Sequence, residues 1–127
     1  MIDQMFEREN YTLAKKLMDV SHVRHQAIAG NLANVETPGY KRKDIQADFA
    51  TQLAKLAGQD DMKGIASLKP TLRTDFASPA VRADGNNVQM DKELLEMNKN
   101  ATQYEFLANY TANSMKRIKT AITGRVM

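Results

Sequence analysis

The chain has 127 residues, enough for one domain, with 43% hydrophobic residues, 6% aromatic residues and no tryptophan. With a mean hydropathy of -0.52, this composition argues against a large, dense core and favours apolar side chains used in helix seams. The net charge of +3, from 18 basic and 15 acidic residues, is too mixed to require a polyanion partner, and the absence of cysteine excludes disulfides and Cys-ligated metal. No apolar run approaches the roughly 18 residues needed to span a bilayer. Met1 to Glu7 lacks a basic stretch followed by an apolar one, so no cleaved secretory signal is expected.

The first element is a helix between about Asp3 and Val35. Leu13, Leu17, Val20, Ala27 and Asn31 recur at helical spacings, and Ala14, Met18, Ile28, Leu32 and Val35 run alongside to form a broad apolar face. Asp3 or Asn10 can cap its start. Its stop is sharp. Pro38 pushes Thr37 out of the α region, Pro38-Gly39 suits the central positions of a type II turn, and Asn34 fits near the C-cap.

All three prolines, Pro38, Pro70 and Pro79, lie in the middle of the chain. Ile45, Phe49, Leu53 and Leu56 predict a short amphipathic helix between Asp44 and Gly58. From Gly58 to Ala83 there is little periodicity, so this stretch is expected to be mobile or ordered by a partner. Asp84-Gly85, between Ala80-Val81 and Val88–Met90, signals a small β-hairpin.

The last element is a second long helix from about Asp91 to Gly124. Met97, Ala101, Tyr104, Ala108, Thr111, Met115, Ile118 and Ile122 alternate steps of four and three, the pattern of a heptad seam. Asp91 is its expected N-cap, with Glu93 in the first turn, Met90 stapled onto Leu95 and Gly124 as terminator. Each terminal helix would be roughly 45 Å long at about 1.5 Å per residue. The acidic start (Asp3, Glu7, Glu9) would lie beside the basic end (Lys116, Arg117, Lys119, Arg125) in an antiparallel pair, favouring register more than stability.

The predicted fold is therefore mainly α. Long N- and C-terminal helices pair as an antiparallel coiled-coil-like hairpin around a flexible middle with a short helix and a small β-hairpin. One domain spans 1–127, with the first helix in 1–35, the turn and middle in 36–90 and the second helix in 91–127.

Little in the chain suggests chemistry. His22 and His25 share a helix face, but a metal site needs another good ligand, and Arg24 opposes a cation, so they read as solvated. Lys41-Arg42-Lys43 is a short basic cluster followed at once by Asp44 and Asp48, and it reads as a solvated loop. The helix carboxylates likewise read as solvated faces. There is no phosphate loop, nucleophile elbow or metalloprotease motif, so neither catalysis nor a cofactor is expected. The seam amides carry more information. Asn31 points to an interface role that fixes register, and Asn34 fits either that role or helix-end capping.

Asn31-Leu32-Ala33-Asn34, followed by Thr37-Pro38-Gly39-Tyr40-Lys41, resembles the N-terminal signature of the bacterial flagellar rod and hook proteins. Asp84-Gly85-Asn86-Asn87-Val88 through Asp91-Lys92-Glu93-Leu94 resembles that family's second block, leading into its C-terminal helix. The short middle is unlike the members with large inserted domains. Thr37 to Asp44, followed by Phe49, is most similar to the proximal rod group lettered B, with the group lettered C as nearest competitor.

The resemblance implies a structural subunit that packs its terminal helices into the inner layer of a helical tube in the basal body. Such a subunit leaves the cytoplasm through the flagellar type III export apparatus without a cleaved signal and transmits torque from the membrane ring to the distal rod and hook. Its partners would be itself, other rod proteins and the proteins of the ring–rod junction, with no nucleic acid and no membrane span. Leu13, Leu17, Val20, Ile28 and Leu32 with Met97, Tyr104, Met115, Ile118 and Ile122 would carry assembly. Asn31, Leu32, Ala33, Asn34 and Thr37–Tyr40 would set how the chain leaves the inner layer. A soluble helical adapter that binds a partner's amphipathic helix is the alternative.

Overall fold

The computed structural model describes the backbone of residues 2–124 and the side chains from Asn10 to Gly124. The order of elements is α1 (Ile2–Ala33), β1 (Lys43–Ile45), α2 (Phe49–Gly58), α3 (Met62–Ser67), β2 (Leu72–Thr74) and α4 (Met90–Thr123). At about 1.5 Å per residue, the 32 residues of α1 and 34 of α4 span roughly 48 and 51 Å. The two helices run antiparallel. Moving down α1 from Asn31 to Ser21 to Met18, the partners on α4 are Glu93, Asn100 and Thr111.

α1 is covered on two faces. One meets α4, and the other carries the apolar core, where Val20 packs with Phe49, Leu53 and Ile65. Leu13, Leu17, Ile45, Leu56, Ala57, Met62 and Leu68 surround that cluster. Phe49 and Leu53 come from one face of α2, and Ile65, fully buried, comes from α3. Asp61 caps α3 by accepting the Gly64 N–H at 2.8 Å. Lys16 lays its stem along the same face and donates from Nζ to the Ala66 carbonyl at 3.3 Å.

The middle is thus far more structured than its weak periodicity suggests. Two short helices and a strand lie between Phe49 and Thr74, each too short to display several turns of pattern. Ile45, expected in the short helix, instead ends β1, and its side chain still reaches the core. The β-structure is a two-stranded antiparallel sheet of β1 and β2, with Lys43 opposite Thr74 and Ile45 opposite Leu72. It does not form around Asp84-Gly85. There the chain makes a tight turn, with Gly85 at φ +94° and Val81 N–H bonded to the Asn86 carbonyl at 2.8 Å. The following residues direct their amide side chains elsewhere, so no ladder continues.

Both helix stops follow expectation. Gly39 has φ +74°, and the Tyr40 N–H reaches the Thr37 carbonyl at 3.2 Å, as a type II turn requires. Gly124 takes the left-handed conformation at φ +66° and donates to Thr120 at 2.8 Å. The starts differ from expectation. Asp3 and Asn10 both lie inside α1, which begins at Ile2, so neither stands at the cap position. α4 begins one residue early, with Gln89 at the cap position, which places Asp91 in the first turn. Met90 is then itself helical, and both it and Leu95 are about half exposed, so no staple forms. The acidic side chains of Asp3, Glu7 and Glu9, and all of Arg125, lie outside the described residues.

Candidate assembly site

At the end of α1, backbone carbonyls lose their helical partners and need donors from elsewhere. Asn34 doubles the last of the helical bonds, donating to the Gly30 carbonyl from its N–H at 3.2 Å and from Nδ2 at 2.8 Å, while its Oδ1 accepts the Thr37 hydroxyl at 3.0 Å. Asn34 is therefore a capping residue. Asn86, wholly buried, supplies the next. Its Nδ2 lies 3.1 Å from the Asn34 carbonyl, 3.1 Å from that of Val35 and 2.9 Å from that of Thr37. Its Oδ1 accepts the Val88 N–H at 2.8 Å. One amide thus ties the exit of α1 to the approach to α4. Gly39 sits at the tip of the same turn, where a Cβ would lie 3.7 Å from the Asp84 carbonyl, and Lys41 Nζ bonds the carbonyl of Gly85.

Asn31 is the second tie. It is wholly buried, and all four of its contacts lie within the subunit. Oδ1 accepts the Lys43 N–H at 2.8 Å and the Tyr40 hydroxyl at 3.2 Å. Nδ2 donates to the Lys43 carbonyl at 2.9 Å and to Glu93 at 3.3 Å. Burial, and then the charge of Glu93, raise the Tyr40 hydroxyl pKa and keep it a donor. Asn31 thus joins the end of α1 to Tyr40, β1 and the first turn of α4 within one chain.

Arg42 is the third tie and a correction to the solvated-loop reading of Lys41–Lys43. Its Nε donates to Glu93 at 2.8 Å and its Nη1 to Asp75 at 2.7 Å, with Asp44 at 3.5 Å. Burial alone would lower the guanidinium pKa, but hydrogen bonds to Glu93 and Asp75 outweigh it and raise the pKa. The Asp75 carboxyl is held at about 2, chiefly by the Ser78 hydroxyl, against burial, and then by Arg42 and the amides of Ser78 and Ala77. Glu93 is 2% exposed, so this helix carboxylate is a buried partner and no solvated face. Asn87 completes the cluster. Its Oδ1 accepts the Arg42 N–H at 2.7 Å, and its Nδ2 donates to the Asp75 carbonyl at 2.7 Å. Arg42, Asp75, Asn86, Asn87 and Glu93 were not legible as a unit. The available signal was two adjacent amides directly after a Gly turn.

Beyond this latch the face α4 turns to α1 is mixed, and its most buried residues are polar. Its buried residues are Glu93 and Asn100, and Met97, Leu107, Thr111 and Ser114 continue the row half-buried. Of the expected seam, Met97, Ala108 and Thr111 are half-buried and Ala101 is exposed, while Asn100, Leu107 and Ser114 pack beside that row. Further apolar side chains of α4 are exposed: Tyr104, Met115 (53% exposed), Ile118 and Ile122 (79% exposed) on the stripe that continues from Asn100 and Thr111, and Leu95, Phe106 (68% exposed) and Tyr110 on the other side of the helix. On α1, Val20 and Ile28 are buried within the subunit, while Leu13, Leu17 and Leu32 are half-buried. Ala33, Thr37, Pro38 and Gly39 are exposed.

His22 and His25 are exposed, and His22 contacts Gln26 at 3.4 Å. Among the described residues no three His, Cys, Asp or Glu side chains gather as metal ligands, and no helix is long and apolar enough to cross a membrane.

No protein-family model matches the chain, but full-length relatives do. It is 31% identical over 126 residues to the flagellar basal body rod protein FlgB of Borrelia hermsii, covering 87% of this chain and 93% of that one. Against FlgB of Aquifex aeolicus the identity is 31% over 115 residues, covering 89% and 92%. Against FlgB of Salmonella typhimurium it is 30% over 117 residues, covering 80% and 83%. Each alignment covers four-fifths or more of this chain, and the chain belongs to the family of the flagellar basal body rod protein FlgB.

Proposed function

We propose that this chain is a structural subunit of the proximal flagellar rod, one folded unit over 1–127 that polymerises into a helical tube. The observation that carries this reading is the imbalance on α4. Its own chain buries only polar residues of that helix, while Tyr104, Phe106, Met115, Ile118 and Ile122 remain exposed. Exposed apolar side chains gathered on one stripe, as Tyr104, Met115, Ile118 and Ile122 are by their spacing, mark an interaction surface. Burying each fully between subunits contributes roughly 1.5–3 kcal/mol.

The seam that completes assembly is therefore the row of Tyr104, Met115, Ile118 and Ile122 on α4, with Met97 on the same helix and Leu13, Leu17 and Leu32 on α1. Val20 and Ile28 support it from inside the subunit. The latch holds the angle at which residues 37–89 leave the helix pair, so that neighbours in the rod, copies of this chain and other rod or ring-junction proteins meet rigid surfaces. The finer role is mechanical, passing torque from the membrane ring to the distal rod and hook. The subunit reaches that place in the periplasm through the flagellar type III export apparatus, and its role there is structural, without cofactor or catalysis.

Deleting the gene is expected to abolish rod assembly and swimming, and complementation to restore both. A deletion strain that swims with normal flagella and carries no paralogue would sink the proposal. Sedimentation with rod neighbours tests the adapter alternative, since a stable monomer that never joins rod proteins would favour it.

A further inference from the structure

One member of the exposed apolar stripe on α4 differs chemically from the rest. The chain has eight methionines, no cysteine and no tryptophan, so the thioether is the side chain most open to an oxygen-donating oxidant. Among the described side chains the methionines fall into two groups. Met62 packs against the apolar core, Met97 is half-buried on α4, and the sulfur of Met18, also half-buried, accepts the Thr111 hydroxyl at 3.6 Å. Met90 and Met115 are each about half exposed.

The two exposed thioethers stand at opposite ends of α4. Met90 opens the helix beside the latch and borders a cleft with Val35 and Val81. Met115 lies one turn beyond Thr111 and one turn before Ile118, on the stripe that also carries Tyr104 and Ile122. The Thr111 hydroxyl, one turn back on the same side, is already given to Met18. A thioether packs in a seam like any apolar side chain. A sulfoxide carries a strong acceptor, which an apolar seam leaves unpaired.

We propose that Met115 is a modification site at which a peroxide turns the stripe off for assembly. The sulfur lone pair attacks a peroxide oxygen and the O–O bond breaks. The thioether loses two electrons and becomes the sulfoxide, and hydrogen peroxide is reduced to water. A methionine sulfoxide reductase reverses the step with the two electrons of a dithiol, releasing the oxygen as water. This rests on the assembly reading above and gives its surface a control. Neighbours that cover Met115 also shield its sulfur, so the switch acts on the subunit before it joins the rod.

The test uses the full-length chain and hydrogen peroxide. Treated protein is taken forward when it keeps its wild-type circular dichroism and peptide mass spectrometry finds the sulfoxide at Met115. It is expected to co-sediment with rod neighbours roughly ten- to a hundredfold less than untreated protein, the effect of one unpaired polar group in a buried contact. Sulfoxide reductase should restore the loss. Met115→Leu should assemble normally and withstand peroxide, whereas Met90→Leu should stay sensitive. Met115→Gln, which carries a polar oxygen permanently, should be missing from basal bodies without any oxidant. Equal peroxide sensitivity in Met115→Leu and the wild type overturns the proposal. So does normal assembly of Met115→Gln, and the assembly reading then stands if Ile122→Ser is lost from the rod. If Ile118→Ser and Ile122→Ser also assemble as the wild type does, the assembly reading fails as well.

Discussion

α1 and α4 are nearly equal in length, yet the chain treats them differently. Among the described residues α1 buries Ala14, Lys16, Val20, Ser21, Ala27, Ile28 and Asn31, whereas α4 buries only Glu93 and Asn100. α1 is enclosed because the middle segment returns along it and covers the side opposite α4. α4 packs mainly on α1, with Arg42 reaching its first turn, and the two residues it buries fully are polar. The difference separates two tasks. Apolar burial around α1 stabilises the subunit, and directional polar contacts set the position of α4 while leaving many of its apolar side chains exposed.

Substitutions should divide along the same line. The largest effect is expected from Arg42→Ala, which leaves Glu93 and Asp75 without their cation. Breaking a buried pair costs about 3–5 kcal/mol, measured by urea unfolding. A loss below about 1 kcal/mol would mean the latch does not hold α4. Ile65→Ala opens a cavity on the other side of α1 and should cost on the order of 3 kcal/mol, with little change in how α4 packs by hydrogen exchange.

Acid should loosen the latch next. The Asp75 carboxyl is depressed from 3.8 to about 2 in the folded chain. Its contribution is therefore complete above about pH 4 and is lost as pH falls through about 2, amounting to roughly 2 kcal/mol. Asp75→Asn should flatten that part of the stability–pH curve. Gly39→Ala forces a Cβ into the left-handed region at φ +74° and should cost about 1–2 kcal/mol. The smallest effect on the monomer belongs to Phe106→Ser and Ile122→Ser, within about 0.5 kcal/mol. In sedimentation with rod partners the order inverts, and these two should lose assembly most.

The two long helices and their stops were legible because periodicity over many turns and a Pro-Gly turn are local signals. The short elements of the middle were not, since α3 has six residues and β1 and β2 three each, too few to repeat. The start of α4 was misplaced by one residue because Asp91 is a strong local cap signal that tertiary contacts overrode. Nor did Arg42 stand out, since an arginine between two lysines reads as solvent-facing until Glu93 and Asp75, from distant segments, are placed around it. The family resemblance lay in the two blocks that meet in the latch, Asn31–Lys41 and Asp84–Leu94.

The short sheet has a further consequence. β1 and β2 clamp the chain at Lys43–Ile45 and Leu72–Thr74, so the ends of the 46–71 excursion are pinned whatever lies between them. Extra residues spliced into the exposed Gln59–Asp61 turn would lengthen a loop whose closure is already secured. Each doubling of such a loop costs only about 0.6 kcal/mol. The same helix pair and latch can therefore carry a decoration of quite different size at that turn, giving new outer surfaces without disturbing the inner one.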